Sequence, residues 1–141
     1  MRISAITMLV LLMITADVHA GAVICIAKED LPSGSDTDVE YFLRWGSEVT
    51  GYQASVAARE DHDEEYSGMP SCRNTGNMIN GYFVVIKNVM RNYAGEMKTT
   101  FAFGYGTSYQ SALRDAEEEM GRRNWSWKSS DGYSVDYSKE F

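Results

Sequence analysis

The residues with the greatest chemical potential lie at 60–65, Glu60-Asp61-His62-Asp63-Glu64-Glu65, where one imidazole sits among five carboxylates. Such a set could do acid–base chemistry, or hold a hard divalent cation through carboxylate oxygens. Nucleophilic catalysis needs a base beside the nucleophile, and His62 is the one histidine after His19. Neighbouring carboxylates favour its charged form over the neutral base. No Gly-x-Ser-x-Gly elbow is present to supply a serine. Two-histidine ribonuclease chemistry is excluded by count, and the EF-hand spacing is missing. The run is therefore read as a solvated, negative surface without a catalytic or metal-binding role, and His62 as a solvated polar residue. Concentrated charge of this kind steers basic partners.

Other residues offer weaker chemistry. Gly104-Tyr105-Gly106-Thr107 precedes a helix start, a place where anions can bind. It lacks the lysine and length of a P-loop and reads as a strand-to-helix turn that needs glycine. Carboxylate pairs for glycoside hydrolysis stay open among the acids, but no spacing singles one out. Trp125 and Trp127 would point to the same side of an extended segment. They are either core against a sheet edge or an exposed aromatic binding spot. Asn124-Trp125-Ser126 matches a glycosylation sequon, which has meaning only in a eukaryotic host.

These residues sit in a chain of 141 with 13 basic and 20 acidic side chains, a net charge of −7. That acidity argues against nucleic acid and anionic membrane surfaces, both of which are held by Lys and Arg. Met1–Ala20 has the form of a cleavable secretory leader, with Arg2, an apolar run from Ile6 to Ile14, and Val18-His19-Ala20 before the cut. The run is too short to cross a bilayer of ~30 Å, and no later stretch is long and apolar enough. Removing the leader takes away Arg2 and Asp17, so the remaining 12 basic and 19 acidic residues still sum to −7, and residues 21–141 form a single exported domain. In an oxidising compartment Cys25 and Cys72 are expected to pair, and two cysteines are too few for a structural zinc site.

The elements that position these residues show a repeat. Thr50-Gly-Tyr-Gln53 and Thr107-Ser-Tyr-Gln110 match at an offset of 57 residues, each with capping-box spacing. Val56 answers Leu113 and Glu60 answers Glu117. Upstream, with a one-residue slip, Phe-Leu-Arg-Trp-Gly ending at Gly46 answers Thr-Phe-Ala-Phe-Gly ending at Gly104. The second helix carries one apolar stripe, Tyr109, Ala112, Leu113, Ala116 and Met120. The first has a shorter one, Tyr52, Val56 and Ala57. It is expected to fray in the acidic run or stop before Gly68. Strands are read at Val23–Ala27, through Tyr41, Leu43 and Trp45, at Tyr82–Val89, through Met97, Thr99, Phe101 and Phe103, and through Tyr133, Val135 and Tyr137. Segments 29–40 and 71–81 read as long connections. The order predicts an α+β fold, ββα–ββαβ by internal duplication, an antiparallel sheet with two helices on one face.

The stretches Val-Ile-Cys-Ile-Ala-Lys at 23–28, Tyr-Phe-Val-Val-Ile-Lys-Asn at 82–88 and Gly-Tyr-Gly-Thr-Ser-Tyr-Gln-Ser-Ala at 104–112 together resemble a family of small exported bacterial domains of unknown function. In that family a strand leads through a Trp- or Tyr-Gly step into a helix opening with Ser or Thr, small residues follow at every third or fourth place, and the block is repeated. The likeness covers roughly two-thirds of residues 21–141. Family members usually carry further cysteines, about where Val89 and Met120 stand here. The resemblance implies the duplicated fold and brings no catalytic residues.

The sequence thus predicts an acidic exported binding module that uses no cofactor. Its specific expected form is an inhibitor or immunity protein for a basic antibacterial enzyme. The contact surface is expected to combine Glu60, Asp61, Asp63, Glu64 and Glu65 with Trp125 and Trp127. A small secreted hydrolase or toxin using carboxylates, and an envelope structural or stress protein with no specific ligand, are the alternatives.

Overall fold

A computed structural model describes residues 21–46, 51–78 and 80–141. The predicted leader and the Thr50 cap lie outside them. The chain is α+β and runs β1 (Gly21–Asp30), β2 (Asp36–Gly46), α1 (Gly51–Glu65), β3 (Ser71–Asn74), β4 (Tyr82–Arg91), β5 (Met97–Gly106), α2 (Tyr109–Arg123) and β6 (Ser134–Glu140), with one 3-10 turn at Ser129–Asp131. The strands form two antiparallel sheets of three, ordered β2-β1-β3 and β5-β4-β6. Each sheet is one ββαβ unit with the same strand order, so the repeat extends to β3, which the sequence reading placed in a connection.

Alternation along the central strands explains the layering. Val23 and Cys25 face Ala54 and Ala58 of α1, and Val84 and Ile86 face Ala112, Ala116 and Met120 of α2. The residues between them point the other way. Ala22, Ile24 and Ile26 meet Phe83, Val85, Phe101 and Phe103 in one core shared by both units. The sheets therefore pack face to face, and each carries its own helix on its outer face. The helices do not share one face of one sheet, because the central strands β1 and β4 are apolar on both sides and must be covered twice.

The helix offset is 58 residues, from Gly51 to Tyr109. It superposes the buried positions Ala54, Ala58 and His62 on Ala112, Ala116 and Met120. Gly46 pairs with Gly21 as Gly106 pairs with Tyr82, so Gly106, not Gly104, is the counterpart of Gly46. The cap of α2 is also one residue later than expected. Ser108 and Ser111 form a reciprocal capping box, and Thr107 stays outside the helix. A bulge shifts β6, where Val135 faces Ile86 and Tyr137 faces Val85. The extra residue turns Val135 towards the helix side and Tyr137 into the inter-sheet core, so they do not share a face.

Strand β5 lies at an edge, and side chains occupy its outward backbone groups. Thr37 Oγ1 accepts from the Thr99 amide at 2.9 Å. Asp38 accepts from the Phe101 amide at 2.8 Å, while Arg123 donates both to Asp38 and to the Phe101 carbonyl. Further on, Asp115 accepts from the Tyr105 amide at 3.0 Å, and Arg73 donates both to Asp115 and to the Phe103 carbonyl. Two Arg–Asp clamps thus close a strand edge that would otherwise be open to pairing. They also tie β2 and β3 of the first unit to β5 and α2 of the second.

Gly104 marks the closest approach of helix to sheet. A Cβ there would lie 2.6 Å from the Ala116 Cα and closer still to the Ala112 carbonyl oxygen and the Ala116 amide nitrogen. The Gly104→Ala variant must push α2 off its sheet, and is expected to lose about 2–3 kcal/mol in chemical denaturation. A loss under about 0.5 kcal/mol would show that the helix can shift freely.

Candidate functional site

The structure separates the residues expected to form one surface. The acids ride on α1, which covers the outer face of the first sheet. Trp125 leaves α2 of the second unit and stacks on Tyr93. Among the described residues, no hydrogen bond, ion pair or ring contact joins the two sets.

Helix α1 stays helical through the acidic run to Glu65. The reason is His62, which is 1% exposed and is the third buried residue at spacing four after Ala54 and Ala58. Its ring stacks on Tyr66 and meets the edge of Phe42, and its Nδ1 donates to Asp63 at 2.8 Å. His62 is therefore a packed residue rather than a solvated one. It occupies the place that Met120 fills in the second unit.

The five acids differ in what they offer. Asp61 takes a bidentate pair from Arg44, at 2.6 and 2.7 Å. That hydrogen-bonded guanidinium holds the Asp61 carboxyl below the usual carboxylate range. Asp63 is exposed and holds the His62 ring. Glu60, Glu64 and Glu65 are exposed. Glu40 of β2 joins them, accepting from the Tyr66 hydroxyl at 2.6 Å. The charge of Glu40, together with a carboxyl–carboxyl hydrogen bond to it, pushes Glu65 up from the ordinary glutamate value. The Tyr66 hydroxyl is pushed up to about 12, first by its bond to Glu40, with Glu65 and Glu29 adding to the negative field. Acids from β1, β2 and α1 thus converge on one field. Sequence spacing could not show that Glu40 belongs to it.

A carboxyl raised in the folded state contributes stability that is present at acid pH and is lost as pH rises through its folded pKa. Glu65→Gln removes the ionised form and can still donate to Glu40. The variant is expected to melt higher than the parent at neutral pH, and the gap is expected to close at about pH 4, where the parent carboxyl is protonated. An equal gap at both pH values would count against crowding by Glu40.

The two tryptophans part company. Trp125 is 77% exposed. Trp127 is half-buried beside the α2 core, and its indole N–H donates to the Gly132 carbonyl at 3.0 Å. The chain between them is not extended, because Trp127 N–H closes a turn on the Asn124 carbonyl. Asn124 itself is 3% exposed, so its amide is poorly accessible for glycosylation in the folded chain. Sequence reasoning passed over Tyr93, whose one signal was an aromatic at the tip of the Asn92–Gly95 turn.

Cys25 and Cys72 form a disulfide across directly paired positions of β1 and β3. The glycines at 104 and 106 are spent on packing. A side chain at Gly106 would meet Ser111 of the α2 capping box, as one at Gly104 would meet the α2 backbone. Among the described residues no group of three or more His, Cys, Asp or Glu is placed to hold a metal ion. No helix there is long and apolar enough to cross a membrane.

Fold and surface define an α+β protein of two ββαβ units, cross-linked within the first and acidic over its helix. Comparison with protein-family models, with curated proteins and with solved structures finds no match.

Proposed function

We propose that this protein is an exported binding module without enzymatic activity, which uses the acidic field over α1 to hold a basic protein. In its specific form it is an inhibitor or immunity-type protein that caps a basic antibacterial enzyme. The leader-like Met1–Ala20 and the Cys25–Cys72 disulfide support export. The observation that carries the binding role is the gathering of exposed Glu60, Asp63, Glu64 and Glu65 on α1 beside Glu40, which Tyr66 at the end of that helix ties to β2 at 2.6 Å, and the raised Glu65 carboxyl agrees with it. Carboxylates gathered on one surface repel one another, and an incoming Lys or Arg relieves that repulsion. The field is a place where a cation gains more than it would beside an isolated acid.

The carboxylate hydrolase is the weaker reading. Glu65 is exposed, and neither it nor Glu40 lines any of the four cavities described. A hydrolase would need such a pair enclosed. Affinity capture from periplasm or culture medium, with the parent and with a variant neutralised at Glu60, Asp63, Glu64 and Glu65, tests the binding role. Asp61 is left intact because it anchors Arg44.

A further inference from the structure

Strands β2, β3, β5 and β6 stand at sheet edges. The outward groups of β5 are taken by the two clamps. Strand β3 has four residues. Strand β6 is exposed at every position but Tyr137, so a strand laid beside it would cover little apolar surface. Strand β2 is the long one, Asp36–Gly46. A bulge at Val39 divides it, because Glu40 faces Ala27 while Asp38 faces Lys28. Before the bulge, Thr37 and Asp38 serve the β5 edge. After it, residues 40–46 pair with β1 alone.

An antiparallel ladder fixes which way each backbone group points. The Thr75 amide, just past β3, donates to the Ala22 carbonyl at 2.9 Å, so β1 turns its even-numbered groups to β3. Its odd-numbered groups bond β2 at Glu40, Phe42 and Arg44. The amides and carbonyls of Tyr41, Leu43 and Trp45 therefore point out of the sheet. Among the described residues nothing hydrogen-bonds them there. An open run of this kind is a template for another strand.

The two faces of this edge differ, and the difference selects the strand. Glu40, Phe42 and Arg44 point to α1, where they meet Tyr66, His62 and Asp61. The charge of Arg44 is matched by Asp61, so Glu40 and the neighbouring Glu65 leave this face negative. On the other face Tyr41 and Leu43 pack on the shared core, and Trp45 packs on Phe83 and Tyr137 while staying 39% exposed. Successive side chains of an added strand fall on these two faces in turn. Lys or Arg is matched on the α1 face, and an apolar side chain on the other. A second copy of this chain is not matched. Pairing β2 with β2 would bring two acidic fields together, on chains of net charge −7 each.

We propose that the β2 edge, from Glu40 to Gly46, takes an extended segment of a basic protein as an added strand, with Lys or Arg at every second position towards α1 and apolar residues between. This rests on the reading of the acidic field as the site of a basic partner, and gives the form in which that partner binds. The test is an NMR titration of the intact, disulfide-bonded chain with capped peptides about seven residues long. One alternates Lys and Val, one alternates Lys and Pro at the same charge, and one alternates Glu and Val. The Lys–Val peptide should bind saturably in about 20 mM salt, shift the Tyr41, Leu43 and Trp45 amides and slow their hydrogen exchange. The Lys–Pro peptide, which cannot complete a ladder, should bind about tenfold more weakly, and the Glu–Val peptide should not bind. Backbone N-methylation of the valines alone and of the lysines alone should give affinities about tenfold apart, because only one set of N–H groups faces β2. The variant neutralised at Glu60, Asp63, Glu64 and Glu65 should bind the Lys–Val peptide about tenfold more weakly than the parent. Equal affinity for the Lys–Val and Lys–Pro peptides, or for the two methylated forms, would overturn strand addition. If that shared affinity also vanished in the neutralised variant, the acidic field would still stand. Lys–Val affinity unchanged in the variant would overturn the choice of a basic strand. No saturable shift up to about 10 mM peptide would overturn the proposal. So would shifts at these amides that grow with protein concentration alone, which would assign the edge to a second copy.

Discussion

Replacing Cys25 with Ala and Cys72 with Ser together is expected to destabilise the protein by about 4 kcal/mol in urea unfolding. The cross-link closes a loop of 47 residues, and loop-closure entropy over that length gives this magnitude. The two units explain why the loss falls on the fold as a whole. In the second unit, Ile86 of β4 pairs with Val135 of β6 at the position that Cys25 and Cys72 hold in the first. Strand β6 runs for seven residues, whereas β3 has four. The disulfide thus holds a short edge strand that has little ladder of its own. Arg73, on that strand, clamps the edge of β5, so release of β3 also opens the inter-unit contact. A loss below about 1 kcal/mol would mean that β3 stays in place without the bond.

Arg123→Met is expected to cost about 3–5 kcal/mol. Asp38 is 6% exposed and faces both the Arg123 guanidinium and the Phe101 amide. Losing the arginine leaves a buried carboxylate with one backbone donor and no counter-charge, and strips the Phe101 carbonyl of its donor. The double variant Asp38→Asn with Arg123→Met keeps an acceptor for Phe101 N–H and removes the stranded charge. It should recover more than half of the loss, and a double-mutant cycle read from urea midpoints measures the difference. If the double variant is as unstable as the single one, the defect lies in packing around the Arg123 stem rather than in the unpaired charge.

Much of the fold was legible where burial and periodicity coincide. The continuous apolar run through Val84, Val85 and Ile86, the spacing of Ala112, Ala116 and Met120, and the aromatic strand before α2 all mark buried faces. Strand β3 was not legible, because Ser71-Cys72-Arg73-Asn74 has no apolar alternation and its place is set by a disulfide and a clamp. Helix α1 stops before Gly68 as expected, but that it holds through the acidic run was not legible, because its anchor is a histidine where α2 has a methionine, and hydropathy does not count His62 as buried. The bulge that turns Tyr137 inward depends on strand register, which has no local signal. The surfaces followed the same logic. The acids at 60–65 were visible as a run, but Glu40 joins them only through sheet pairing. Tyr93 and Trp125 meet only when the β4–β5 turn and the segment after α2 converge.

The binding role stands or falls with the acidic field over α1. Its most direct test is capture with the parent protein and with the variant Glu60→Gln, Asp63→Asn, Glu64→Gln, Glu65→Gln, each in about 20 mM and about 300 mM salt. The parent is expected to retain a basic protein at low salt and release it at high salt, and the variant is expected to retain none. Retention that is indifferent to salt and unchanged in the variant, or no retained basic protein at all, would contradict it.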